Sequence, residues 1–283
     1  MLQPPSATTP EHVGDHYDRL APLYLHLWGN CLHHGLWDRH SPASISEGTT
    51  RLLDLLAAPL SLNPGSRVID IGCGYGSDAH RLAGEHGALV TGLTVSRSQA
   101  ASAAENRPPS RGKVRVLHGD WLENDFAPQS FEAALAIESL DHMPDKPAFF
   151  GELARTLITG GRAALSCWTA APAPTVPESL LLDYLCQAGA LSSIETLQYY
   201  RRLATKAGLA VLATQDLTTR VAPTWGHIAR RGLASTTNPR FLRHLFPIVL
   251  RRPALPGAIP AMMLAYRTGI LQYQAIWLGK KPS

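Results

Sequence analysis

Asp70 is the residue with the clearest chemical use in this 283-residue chain. It sits in the apolar run Val68-Ile69-Asp70-Ile71, and glycines follow at alternate positions, Gly72, Gly74 and Gly76. Glycine adopts positive φ without strain and lets a ligand lie against the backbone. A carboxylate at the base of such a turn suits an ammonium group better than a phosphate, on simple charge grounds. Farther on, Asp120 and Trp121 place an acceptor beside an aromatic plane, a pairing suited to a ring that carries an amine. His142 is the candidate for proton transfer. A neutral imidazole, of ordinary pKa about 6.5, can take a proton from an attacking hydroxyl, and such catalysis is typically worth about 10²–10⁴-fold. Asp141 is a second candidate base, or a residue of the following helix cap. Neighbouring side chains seldom face one point, so His142 is preferred.

Spacing narrows the ligand. A dinucleotide loop reads G-x-G-x-x-G and offers helix N–H groups to a pyrophosphate. Here the third glycine arrives one residue early and Ser77 occupies its place. A nicotinamide site also wants an acid about 20 residues on, at the end of the second strand. That segment, residues 88–96, offers Thr94 instead. No Gly-Lys-Ser or Gly-Lys-Thr occurs, so the Walker phosphate loop is absent. A zwitterionic amino-acid end joined to a nucleoside fits best, which is S-adenosylmethionine. A nicotinamide-dependent oxidoreductase and a cofactor-binding protein without chemistry stand as alternatives.

These residues need a scaffold. Apolar runs predict strands over 67–71, 88–96, 114–120, 131–137, 161–168, 208–216 and 271–278, the fifth entered by a Gly-Gly turn. Helical patterns fall at 77–86, 97–106, 145–157, 179–188 and 195–207. Such alternation predicts an α/β fold with a doubly wound, mainly parallel sheet, whose ligands bind at the C-terminal strand ends. Residues 1–10 are rich in Pro, Thr and Ser and read as a disordered tail. Residues 11–60 read as a helical cap, with Leu52, Leu53, Leu55 and Leu56 as the apolar stripe of a helix ending near Pro59. The core is expected over 61–221, a Pro-punctuated helical lid over 222–268, and the last strand of the core in 269–283.

Composition sets further bounds. A net charge of +4 and a sequence pI of about 9.0 argue for neither nucleic acid nor membrane as a partner. Cys31, Cys73, Cys167 and Cys186 are scattered without metal-ligand spacing, which predicts no metal site and a reducing compartment. The N-terminus has no secretory pattern and no apolar run reaches membrane-spanning length, so a cytoplasmic location is expected. A homo-oligomer is compatible with the sequence. Residues 240–252 interleave arginines with apolar residues. Helices of that kind can dock on a bilayer, but a lid helix with a solvated face is the simpler reading.

The chain resembles class I S-adenosylmethionine-dependent methyltransferases over most of its length. Asp70 to Gly76 is similar to the first motif of that family, and His118-Gly-Asp-Trp121 to its adenine-side motif. Thr91-Gly-Leu-Thr-Val-Ser-Arg-Ser-Gln99 resembles the second-strand motif of cyclopropane fatty acid synthases and sterol C-methyltransferases. Tyr17-Asp-x-x-Ala-x-x-Tyr24, Trp28-Gly29 and His33-His-Gly-Leu-Trp37 resemble the cap of tocopherol, sterol and natural-product sugar methyltransferases. So does Ile137-Glu-Ser-Leu-Asp-His-Met-Pro-Asp-Lys146.

The resemblance implies a Rossmann-like seven-stranded sheet in the order 3-2-1-4-5-7-6, with the last strand antiparallel. It implies cofactor contacts from Tyr17, Asp70, Gly72, Gly74, Gly76, Thr94, Gln99, Asp120, Trp121 and Glu138. Within that set Thr94 replaces the ribose-binding acid, Gln99 reaches the ribose and Tyr17 the cofactor carboxylate. His33, Trp37 and Trp225 are expected to line a small-molecule acceptor pocket. The resemblance favours O-methylation of a natural product. C-methylation of a lipid-like or prenylated acceptor is the alternative.

Overall fold

The computed structural model describes residues 8–38, 44–105, 110–252 and 255–281. Its frame is a seven-stranded sheet in the order β3-β2-β1-β4-β5-β7-β6. The strands are β1 (Arg67–Ile71), β2 (Leu89–Thr94), β3 (Lys113–His118), β4 (Phe131–Ile137), β5 (Leu157–Ala170), β6 (Leu209–Asp216) and β7 (Leu271–Lys280). The first five run parallel, and β7 lies antiparallel between β5 and β6.

Alternation along the strands splits the core between two faces. Val68 of β1 joins one apolar cluster with Leu135 of β4 and Trp277 of β7. Ile69 and Ile71 join the other with Ala134, Ala136, Ile276 and Leu278. Side chains of a strand point alternately to opposite faces, so a mostly apolar run is required where both faces are covered. Helices α3 (Ser77–His86), α4 (Arg97–Glu105), α5 (Lys146–Thr156), α6 (Val176–Gly189) and α7 (Leu197–Lys206) fill the connections. Each follows the range expected from periodicity within a few residues.

The expected turn before the fifth strand lies inside it. Gly160 and Gly161 fall where the β4–β5 register jumps from Phe131↔Leu157 to Ala133↔Arg162. Gly160 has φ of 78°, and a Cβ on Gly161 would meet the Ile158 carbonyl oxygen at 2.9 Å. The glycines therefore make a bulge, and the strand continues on both sides of it.

The N-terminal cap is not helical throughout. Helix α1 (Pro10–Leu27) is capped by Thr9, whose side chain accepts from His12 N–H. Pro10 thus belongs to the cap rather than to the tail, whose residues 1–7 lie outside the described residues. Helix α2 (Ile45–Ala57) starts in a reciprocal Ser44–Glu47 capping box. It buries Leu52, Leu53 and Leu56 almost completely, each contributing about 1.5–3 kcal/mol. Leu55 packs on the same cluster while only partly buried. Between α1 and α2, residues 28–38 run as an irregular segment. It is held by backbone bonds from Leu36 to Gly48 and from Trp37 to Arg220. Between β6 and β7 the chain inserts α8 (Thr218–Val221), α9 (Pro223–Ser235), α10 (Pro239–Arg251) and α11 (Leu255–Thr268). Helices α1, α9, α10 and α11 roof the C-terminal edge of the sheet. Their own small core contains Leu23, Leu27, Ile228 and Phe241. No helix among the described residues is long and apolar enough to cross a membrane.

Candidate functional site

A cavity of about 560 Å³ lies between the strand ends and this roof. Its floor comes from the loops after β1, β2, β3 and β4. Gly72, Gly74 and Gly76 adopt φ of 78°, 55° and 76°, so the turn after β1 is left-handed at three positions that disfavour any other residue. A Cβ on Gly72 would strike the Ser139 Cβ at 2.4 Å, and Gly76 faces Val116 rather than the cavity. Gly76 therefore serves the turn and the start of α3, and does not reach the ligand space.

Two backbone donors of the turn are already used. The N–H groups of Gly72 and Cys73 both donate to the Leu93 carbonyl, at 2.8 and 3.0 Å. They are withheld from a phosphate, in agreement with the glycine spacing. Asp70 is buried, and its Oδ2 has no hydrogen-bond partner among the described residues. Burial, reinforced by the Asp78 charge and only partly offset by His33, raises its carboxyl well above the ordinary value. A buried carboxylate oxygen without a donor lacks a cation or donor partner.

Thr94 and Gln99 form one unit. The Thr94 hydroxyl donates to Gln99 Oε1 at 2.8 Å, which leaves the Gln99 amide N–H₂ for the cavity that both residues line. Asp120 and Trp121 line it as well. Asp120 is partly buried, and burial raises its carboxyl. Trp121 is wholly buried, with Nε1 donating to the Phe149 carbonyl at 3.3 Å.

His142 stands in the wall beyond them. Its Nδ1 is 2.9 Å from the Ala190 carbonyl oxygen, and its Nε2 is 2.9 Å from the Tyr17 hydroxyl. A carbonyl only accepts, so Nδ1 carries the hydrogen. Nε2 is then the lone-pair nitrogen, accepting from Tyr17 O–H. Burial pushes the imidazole down to about 4, so it is neutral near pH 7. Lys146 fixes this loop: the three N–H groups of its buried ammonium are shared among the carbonyls of Leu140, Asp141 and Met143 and Ser192 Oγ, at 2.8–3.1 Å. Tyr17, expected at the cofactor carboxylate, is placed on His142 instead.

Asp141 is corrected as a candidate base. Its Oδ2 accepts the Trp168 backbone N–H at 3.0 Å and its Oδ1 the Tyr200 hydroxyl at 3.2 Å. Burial pushes the carboxyl up to about 7. Both oxygens are committed to holding β5 and α7, as expected when adjacent side chains diverge.

Glu138 also lines the cavity, but its carboxylate is tied to the 28–38 segment and to β7. Its Oε1 accepts from the His34 backbone N–H, from His34 Nδ1–H at 2.9 Å and from the Tyr273 hydroxyl at 2.7 Å. Burial opposes its charge, yet His34 and His33 outweigh burial and hold it below the ordinary value. Its φ of 53° is unusual for a residue with a side chain and costs on the order of 1–3 kcal/mol. His34 Nε2 accepts the Trp225 indole N–H at 2.8 Å and lies 3.1 Å from the Tyr266 hydroxyl. Trp225 itself lines the cavity, and its indole N–H holds His34 in place. Tyr266 and Tyr273 were not foreseen, because they lie on α11 and β7 with no motif around them. Trp168 was read only as a strand end. It lines the cavity, and its indole N–H has no partner among the described residues.

His33 lines the cavity and pairs with Asp78 at 3.0 Å. Burial works against protonation, but the Asp78 charge and hydrogen bond prevail and raise the imidazole well above 6.5. Cys31 Sγ lies 3.7 Å from the same carboxylate, so three groups with metal-ligating atoms come within 4.8 Å of one another. Sequence spacing missed them because Asp78 arrives from α3. The His33–Asp78 ion pair accounts for this grouping.

Trp37 is corrected as a pocket residue. It is buried outside the cavity, donates its indole N–H to Thr224 Oγ1 at 2.8 Å, and stacks on His227 with ring centroids 3.8 Å apart. It fastens the 28–38 segment to α9.

Comparison with known proteins follows the same lines. The family described as mycolic acid cyclopropane synthetase matches residues 7–233. The 27-O-demethylrifamycin SV methyltransferase of Amycolatopsis mediterranei is 36% identical over 225 residues, which cover 79% of this chain and 82% of that protein. The crystal structure of the (4+2)-cyclase SpnF superposes with a TM-score of 0.79 at 27% identity, covering 99% of this chain and 98% of that one. The mycolic acid cyclopropane synthase CmaA1, complexed with SAH and CTAB, shares the fold with a TM-score of 0.84 at 19% identity, covering 95% and 97%.

Proposed function

The chain belongs to the mycolic acid cyclopropane synthetase family and is an S-adenosylmethionine-dependent methyltransferase, and on that premise we propose that it methylates a hydroxyl oxygen of a small natural-product acceptor. The observation that carries the reading is the fixed tautomer of His142, whose Nε2 lone pair sits in the cavity wall. The 36% identical relative is named for O-demethylrifamycin, which supports an oxygen acceptor here.

The unpartnered Asp70 oxygen suits the cofactor's ammonium, and the left-handed turn at Gly72 and Gly74 leaves room for its amino-acid end. We assign Gln99, held by Thr94, to the ribose, and Asp120 with Trp121 to the adenine. When bound, S-adenosylmethionine supplies an electrophilic methyl group on a sulfonium. The chain's own work is to align, to exclude water and to manage one proton. Alignment of this kind is worth roughly 7–11 kcal/mol. Tyr17 releases Nε2 as the acceptor hydroxyl replaces it, and Nε2 takes the proton that the hydroxyl loses on attack. The Trp168 indole N–H is available to an oxygen of the acceptor. Lys146 holds the loop so that Nε2 keeps its place. Four scattered free cysteines support a cytoplasmic setting.

Methyl-labelled S-adenosylmethionine, offered with extracts or libraries of hydroxylated natural products, tests the reading. Label on an ether oxygen is expected. His142→Gln is expected to lower kcat by about 10²–10⁴-fold with cofactor affinity unchanged. Because His142 is held down to about 4, its basic form persists as pH falls through 6.5. At saturating S-adenosylmethionine, protonation of His142 should therefore leave the wild-type kcat/KM for the acceptor level across that region and lower it only as pH falls through about 4. Unchanged kcat in His142→Gln removes His142 as the base, and no label transfer at all removes the reading.

A second reading, C-methylation, draws on the aromatic wall. Trp28 and Trp225 meet edge to face at 5.6 Å, and such rings can shelter a developing cation. Label on carbon would select it.

A further inference from the structure

We propose that the outer face of α10 seats this protein on an anionic lipid bilayer. The inner face of the helix turns Phe241, Leu245 and Val249 toward the cavity. The outer face carries Leu242, Phe246 and Leu250 at spacings of four residues, so they lie in one stripe. Phe246 and Leu250 are 66% and 67% exposed. Side chains exposed to that degree project from the surface and do not sit in a groove. Arg243 and Arg251 flank them, both exposed. Leu233, at the end of α9, adds a further exposed apolar group and also lines the cavity.

Charge identifies the occupant. Residues 223–268 hold seven arginines and no lysine, aspartate or glutamate, while the rest of the chain is net acidic. The modest overall charge of +4 hides this asymmetry. A helix with an arginine-flanked apolar stripe lies in the headgroup region of a bilayer, its apolar side chains entering the acyl boundary and its cations drawn to anionic lipid. The helix lies on the membrane and does not cross it, since none of the described helices is long enough. A protein partner would need a complementary pocket for each projecting side chain, whereas a bilayer adapts to them. The same helix borders the cavity, so a lipophilic acceptor would pass from lipid to site around one element. That last point rests on the proposed function; the docking itself does not.

Flotation of the full chain with vesicles tests it. One set is an equal mixture of phosphatidylglycerol and phosphatidylcholine, the other phosphatidylcholine alone. Binding to the first set is expected, weakening as salt is raised, with little binding to the second. The double variant F246S/L250S should bind the anionic vesicles about 100-fold more weakly, and R243E/R251E should also lose binding. Calorimetric S-adenosylmethionine affinity should be unchanged in both, which shows that they fold. Absence of binding to anionic vesicles overturns the proposal, as does undiminished binding by F246S/L250S. Capture by an acidic protein without vesicle binding would overturn it in favour of a protein partner. Methyl transfer is not read in this experiment, so its failure is separate from that of the proposed reaction.

Discussion

The two halves of the cavity are built in different ways. The half proposed for the cofactor is made of backbone: a turn of left-handed glycines after β1, tied by two N–H groups to the end of β2. Its side chains, from Asp70 to Asp120, come from three successive strand ends. The half proposed for the acceptor is made of side chains from distant parts of the chain. His34 meets Trp225 across 191 residues and Tyr266 across 232. Outside the cavity, Arg252, just past α10, likewise meets His16 of α1 across 236. A backbone turn accepts few residues, whereas a wall of helical side chains can be repacked at many positions. On the proposed assignment, holding the cofactor is a rigid local task and choosing the acceptor a distributed one.

Breaking the turn should have the largest effect. Gly72→Ala combines positive φ with a contact to Ser139 at 2.4 Å, so a loss of about 3 kcal/mol in stability is expected. Denaturant unfolding measures it, and a change within error would mean that the turn is not rigid. Next comes Asp70→Asn, which keeps the shape and removes the charge. The cofactor Kd should rise about 10- to 100-fold while acceptor KM holds, as read by calorimetry and steady-state kinetics. Burial already raises the Asp70 carboxyl, so wild-type affinity should weaken as pH falls. On the other side, Trp225→Ala should raise acceptor KM about 10-fold and leave the cofactor Kd alone. A matching shift in cofactor Kd would show that the halves are coupled through His34 and Glu138.

The misreadings follow the same division. That Asp70, Gly72, Thr94 and Gln99 line one cavity was legible because their neighbours in space are their neighbours in sequence or one strand away. Trp37 and Asp141 were not, because a buried aromatic and a carboxylate after a strand have the same local pattern whether they face a ligand or the core. Trp37 became a clasp only when α9 delivered Thr224 and His227. Asp141 became structural only when Trp168 and Tyr200 arrived from β5 and α7. Lys146 closed a recognisable segment but its role was not legible, since that depends on three carbonyls of a folded loop.

The sequence by itself determined the sheet and the turn. Apolar periodicity sets which elements form, and glycine spacing sets which backbone conformations are open to them. Only the tertiary structure decided which groups are spent and which remain available. It left Asp70 Oδ2 and the Trp168 indole without partners, put the lone pair of His142 on Nε2, and turned one stripe of α10 outward. Hydrogen-bond satisfaction and burial are sums over neighbours brought together by folding, and no local pattern contains them.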